Sequence, residues 1–177
     1  MKALAEFAMR GRFQALLITV IGAGSLLFSP ISAAVLALVT LRKGAGEGAW
    51  LLFWALLPAG SLVYLYGDSG PLSLLLAVMV LALVLRNTVN LPLAVLVCVP
   101  VGATIGLAMV VFAGAYLDQI AAYFGEFLAT LEQQLSQGDQ NVVLARPTPV
   151  QIAGMLGAGT AMTAVLCLLL ARYWQAA

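Results

Sequence analysis

Histidine is missing from this 177-residue chain. Its absence removes the commonest general base and the commonest metal ligand at one stroke. Charge is scarce as well: Asp, Glu, Lys and Arg make up 8% of the residues, against about 25% in an average soluble domain. No ionisable group lies deep inside the long apolar stretches, which disfavours proton relays and cation pathways. A membrane hydrolase or protease needs a Ser/His, paired-Asp or metal constellation, and none is legible. The expectation is a protein that is not an enzyme and holds no cofactor and no metal. The two cysteines, Cys98 and Cys167, sit within apolar stretches and read as packing residues. The net charge of +1 gives no reason to expect a nucleic-acid partner or a polybasic lipid-binding patch.

What the chain does contain is apolar residues, 63% of the total. One core of this size could not hide that much apolar surface from water, whereas lipid covers it in a membrane bundle. Phe13–Leu41, Gly48–Gly67, Ser69–Leu85, Asn87–Leu117 and Pro147–Ala171 contain no Asp, Glu, Lys or Arg. A helix crossing a hydrocarbon core of ~30 Å needs about 20 residues. Gly48–Gly67, Asn87–Leu117 and Pro147–Ala171 satisfy this, with Pro92 suited to a first helical turn. Ser69–Leu85 is short, and Arg86 is expected to reach out to the interface and lengthen it. Arg172, Tyr173 and Trp174 read as an interfacial anchor.

Phe13–Leu41 is too long for one crossing, ~43 Å as a straight helix. It is either one kinked span or a hairpin turning at Phe28-Ser29-Pro30. With a hairpin and a cytoplasmic N-terminus, Lys2, Arg10, Arg12, Arg42, Lys43, Arg86 and Arg172 share one side and Arg146 alone lies on the other. A single span splits the eight evenly, so the positive-inside rule favours the hairpin. Its arms are short, but about six spans are expected, the first two a short hairpin, with four spans and a re-entrant hairpin as the alternative. Both place the N-terminus and C-terminus in the cytoplasm. Asp68, Asp118, Glu126, Glu132 and Asp139 then face outward.

Residues 116–137 place Leu117, Ile120, Phe124, Phe127, Leu131 and Leu135 at spacings of three and four, with Asp118, Gln119, Glu126, Gln133 and Gln134 mainly between them. That is an amphipathic outer helix, ended by Gly138 and followed by a loop over 138–149. It lies on the outer membrane surface, packs on its neighbours, or covers an outward-facing cavity or docking surface. Its polar face lacks Lys and Arg, so attraction to anionic lipid is absent.

Glycines at alternate positions in Gly44-Ala45-Gly46-Glu47-Gly48 make a turn rather than a phosphate cradle, since no strand precedes them and no Lys-Ser/Thr pair follows. Ala33 and Ala37, Gly102 and Gly106, and Gly154 and Gly157 have the spacing of close helix packing. Trp50, Trp54, Tyr64 and Tyr66 sit towards the ends of one segment, as belt aromatics do. Pro58 and Pro100 fall within spans, where they kink the helix and free carbonyls.

The order of proline break, apolar helix, basic pair, glycine turn and next helix over Leu27–Gly44 and Glu47–Trp50, with the amino-terminal Met1–Arg12, resembles the YybS-like family of uncharacterised bacterial inner-membrane proteins. Members of that family look distantly similar to the substrate-capture subunits of energy-coupling-factor vitamin transporters, which are six-helix bundles that bind a small molecule near the outer face and dock on a transmembrane partner. The local likeness covers about the first fifty residues, and no binding residue carries over. Family members run on with further hydrophobic segments, so a short member or a truncated chain is expected. Taken together, the chain is expected to be a single all-α polytopic bundle over 1–177 in the bacterial cytoplasmic membrane, with the lipid bilayer and another membrane protein as its candidate partners. The expected role is a non-enzymatic small-molecule-binding or transport-related component, with Trp50, Trp54, Asn87 and Asn90 as cavity candidates. The alternative is an interaction or assembly protein that packs against other membrane proteins.

Overall fold

The computed structural model describes residues 11–25, 28–135 and 144–176. Among them the chain forms seven helices: α1 (Arg12–Ala23), α2 (Ser29–Lys43), α3 (Ala45–Tyr66), α4 (Gly70–Thr88), α5 (Leu91–Phe112), α6 (Gly114–Leu135) and α7 (Pro149–Ala176). Four of these, α3, α4, α5 and α7, are long and apolar enough to cross a membrane. Lys2, Arg10, Asp139 and the expected helix end at Gly138 lie outside the described residues.

α1 and α2 are different in kind. Their 12 and 15 residues give lengths of only ~18 and ~22 Å. They run antiparallel. Near the turn, the Ser32 hydroxyl donates to the Thr19 carbonyl at 2.7 Å, and Gly22 packs against Ser32. At the far end Ala15 shares a small recess with Val39 and Lys43. The turn lies between Ala23 and Ser29, slightly earlier than the expected Phe28-Ser29-Pro30. Pro30 does not break a helix; it occupies the first turn of α2, where no backbone N–H is required.

The tip of this hairpin stops well inside the bundle. Gly24 faces Pro58, a Cβ on Gly24 lying 3.7 Å from that ring. Eight residues of α3, ~12 Å of helix, continue beyond that level. On α7, the Cys167 thiol donates to the Pro30 carbonyl at 3.3 Å, and α7 extends from Cys167 back to Pro149, ~27 Å further. The outer half of the bundle therefore lacks α1 and α2.

α2 is the enclosed element. Every residue from Ser32 to Thr40 is buried, and α1, α3, α4 and α7 all pack on it. A helix that is small and apolar all round can be surrounded in this way. Ala33 and Ala37 are both fully buried.

The basic residues gather where α2 ends. Arg86 donates to the Thr40 carbonyl at 2.7 Å and stands beside Gly44, whose φ of 120° makes the tight turn into α3. Arg42 donates to the Gln175 carbonyl at 2.8 Å, and Arg172 approaches the Gln175 side chain. Guanidinium groups thus meet the carbonyl ends of α2 and α7, where the helix dipole is negative. Arg86 stays exposed while making this bond. Trp174 is buried, so the anchor expected at the end of α7 is reduced to the exposed Arg172 and Tyr173. Arg146 is at the other end of the 28-residue α7, 3.9 Å from Glu132.

α5 and α7 form the closest pair. A Cβ on Gly102 would lie 2.9 Å from that of Ala161, one on Gly106 would lie 3.1 Å from the Ala153 carbonyl, and one on Gly157 would lie 2.9 Å from the Gly106 nitrogen. Gly154 points elsewhere, with nothing within 4 Å. The start of α7 is fixed by a capping box, Thr148 N–H to Gln151 Oε1 at 2.9 Å and Gln151 N–H to Thr148 Oγ1 at 3.4 Å. α6 begins by packing on α5 and α7 through Leu117, Ile120 and Ala121 against Met109, Ile152 and Ala153. Its later apolar positions, Phe124 and Phe127, are exposed.

Candidate functional site

The shortness of the hairpin leaves a space above its tip. A cleft of about 320 Å³ lies there, with Ser29 and Pro30 of α2 as one wall, Gly70, Pro71 and Leu74 of α4 as a second, and Met155 to Thr163 of α7 as the third. It lies in the half of the bundle away from Arg42, Arg86 and Arg172. Two helix starts border it, those of α2 and α4, each with a proline in its first turn.

Among the described residues no Lys, Arg, Asp or Glu lines the cleft. Its polar groups are three hydroxyls. Those of Thr160 and Thr163 donate to their own helix, to the Leu156 and Gly159 carbonyls at 2.8 and 2.9 Å, and keep only lone pairs free. Ser29 differs. It is 4% exposed, and its Oγ has no hydrogen-bond partner among the described residues. Burying an unpaired hydroxyl costs about 1–3 kcal/mol. Its backbone N–H is already engaged, donating to Ser25 at 2.9 Å. Gln14 Oε1, Ser69 Oγ and Trp174 Nε1 are also unpartnered, but none of these residues lines the cleft.

At the rim, Asp68 accepts the Gly70 N–H at 2.8 Å. It also faces Tyr116, the first turn of α6 lying against the turn between α3 and α4, with Gly67 3.6 Å from the Tyr116 ring when given a Cβ. Burial raises the Tyr116 phenol above its ordinary pKa, and the Asp68 charge raises it further. A hydroxyl anion is disfavoured both by lost solvation and by a neighbouring carboxylate.

The residues singled out from sequence stand elsewhere. Trp50 and Trp54 are 43% and 41% exposed on the outward side of α3, stacked edge to face with ring centroids 6.3 Å apart. Asn90 caps α5, its Oδ1 accepting from the Leu93 N–H at 3.2 Å, and Asn87 is exposed at the end of α4. None of the four lines the cleft. Ser29 went unnoticed because it reads as an ordinary turn residue before proline; only the depth of the tip makes it a buried one.

A second, larger hollow of about 550 Å³ runs along the outer side of the α5–α7 seam, from Cys98 and Val99 to Val150 and Met162. Gly154 and Ala158 lie in it, and among the described residues its lining carries no charged side chain. Among the described residues no three His, Cys, Asp or Glu side chains stand together. No family model matches this chain, and no curated protein or solved structure matches it either.

Proposed function

We propose that this integral membrane protein is a non-enzymatic component that binds a small molecule in the cleft above the hairpin tip. The observation that carries this reading is Ser29, a buried hydroxyl left without a partner in the wall of a preformed space. Native structures satisfy their buried polar groups, and an exception calls for a reason; a ligand that completes the bond is one. Sites for small molecules are concave, mostly apolar and furnished with few polar groups, as this one is. In this reading the chain crosses the bilayer four times and the α1–α2 hairpin is re-entrant, entering and leaving at the basic end. That end faces the cytoplasm by the positive-inside rule, and the cleft opens towards the opposite leaflet. The expected kinship with YybS-like proteins, and through them with substrate-capture subunits, accords with this role.

Thermal unfolding of the purified protein against a panel of vitamins and related metabolites tests it. Ligand at about 100 times its Kd stabilises by roughly 2.7 kcal/mol, a clear shift in midpoint. Gly159 lines the cleft and a Cβ added there would have nothing within 4 Å, so Gly159→Leu places its side chain in the space and is expected to abolish that shift. A flat response across the panel counts against the proposal. The rival reading, an assembly protein, has the hollow beside the α5–α7 seam in its favour. Gentle-detergent purification with crosslinking separates the two: a stoichiometric membrane partner combined with no ligand response replaces the first reading by the second.

A further inference from the structure

The walls of the cleft also restrict what it can hold, and this inference rests on the binding role proposed above. We infer that the ligand is an uncharged small molecule, apolar over most of its surface, that presents one hydroxyl or carbonyl oxygen to Ser29.

Charge is excluded by what the walls lack. A carboxylate or ammonium taken out of water needs an opposite charge or several hydrogen bonds to offset its desolvation. Among the described residues no Lys or Arg lines the cleft to meet an anion, and no Asp or Glu lines it to meet a cation. The two helix starts at its border do not make up for this. Pro30 and Pro71 each remove a backbone donor from their first turn. The Gly70 N–H is already satisfied by Asp68, and the Ser29 N–H by Ser25. A ring of free amides of the kind that holds phosphate is therefore not available here.

Among the described residues lining the cleft, the side-chain donor without a partner is the Ser29 O–H, which is buried and needs a turn of its side chain to meet the space, and lone pairs remain on Ser29, Thr160 and Thr163. A carbonyl oxygen matches the first; a hydroxyl matches both, donating to a threonine while accepting from the serine. The rest of the lining is Pro30, Pro71, Leu74, Met155, Leu156 and glycine, which calls for apolar surface. Size follows from volume: about 320 Å³ lies at the low end of small-molecule sites. Met155 and Gly159 are exposed on the outer side of α7, so the ligand reaches the cleft from the lipid side, the route open to a molecule with little charge.

The test uses three photoreactive probes on one short alkyl-diazirine skeleton, an alcohol, a carboxylate and an amine, with the full-length protein in lipid nanodiscs and crosslinks mapped by mass spectrometry. The alcohol is expected to label the 70–74 and 155–163 segments, to be competed by 1-hexanol, and to exceed both charged probes at least ten-fold at those positions. Ser29→Ala is expected to cut this labelling about three- to ten-fold, the worth of one hydrogen bond, without lowering the unfolding midpoint. Gly159→Leu is expected to remove it. Equal or stronger labelling by the carboxylate or amine overturns the uncharged class and leaves the binding site standing. Labelling by the alcohol that ignores Ser29→Ala overturns the part given to the hydroxyl. Alcohol crosslinks spread over all lipid-facing positions, with no excess at the cleft, overturn the binding reading itself.

Discussion

Two glycines on α7, Gly157 and Gly159, lie about 200° apart around the helix and meet opposite surroundings. Gly157 is pressed against α5, where a Cβ would run into the backbone of Gly106. Gly159 faces the cleft, with nothing within 4 Å. The residue type is the same, and what differs is the neighbour. α5 runs beside α7 through the outer half of the bundle and closes on it, whereas α2, which packs on α7 deeper down, ends before it gets there. A small residue in a membrane helix thus says that something approaches or that something is left open, and the length of the facing element decides which. The seam holds the outer half together; the cleft is what the short hairpin leaves unfilled.

The largest expected effect breaks the seam. Gly157→Leu forces α5 and α7 apart at backbone level, and overpacking of this kind costs about 3 kcal/mol or more. Gly154→Leu, three residues away and free of neighbours within 4 Å, is expected to change stability by no more than about 0.5 kcal/mol. Reversible unfolding in mixed micelles compares the pair. Similar losses for both substitutions would mean that α7 is packed evenly and that the contrast between its faces is illusory.

A smaller effect is expected where the hairpin is held. Arg86 ties the carbonyl end of α2 to α4 and so helps to set how far the tip reaches. Arg86→Ala removes a charge-assisted hydrogen bond from a partly exposed site, for a loss of about 1 kcal/mol; Arg86→Lys keeps the charge but not the fork and recovers part of it. The same denaturation series reads both. A loss as large as that of Gly157→Leu would show that the hairpin, not the seam, is the principal support.

Much of this was legible in the residues. The uncharged stretches mark α3, α4 and α7 to within a few residues, whereas Asn87–Leu117 overruns α5 at both ends and enters α6; the basic residues Arg42, Arg86 and Arg172 do meet at one end. The spacing from Leu117 to Leu135 does form one amphipathic helix. Depth was not legible. Nothing in Phe13–Leu41 says how far into the bundle the turn reaches, because that follows from the packing of Gly24 on Pro58 and of Pro30 on Cys167, contacts between residues far apart in sequence. The cleft depends on that depth and was hidden with it. Polar side chains misled in part for the same reason: Asn90 is spent on a local helix cap, Arg86 on the carbonyl of Thr40, far away in sequence, and Trp174 is buried in the core with its Nε1 unpartnered.

The smallest expected effect lies at the rim of the cleft and asks whether the outer end is assembled as drawn. The Tyr116 phenol is raised chiefly by burial and secondarily by Asp68. Asp68→Asn removes the charge while its amide oxygen can still accept from Gly70, so the pKa is expected to fall only part of the way back, the burial contribution remaining. The sign of the linked stability follows. A group raised in the folded state contributes fully below its ordinary value near 10 and loses that contribution as pH rises through the folded value. Wild-type protein is therefore expected to lose stability as pH rises from about 10 through the folded value, and Asp68→Asn to lose less of it. Tyrosinate absorbance, taken as the difference between each protein and its Tyr116→Phe counterpart, follows the titration directly. An Asp68→Asn protein whose Tyr116 titrates like wild type would place the carboxylate out of reach of the phenol, and α6 would then not begin against the turn that leads into the cleft.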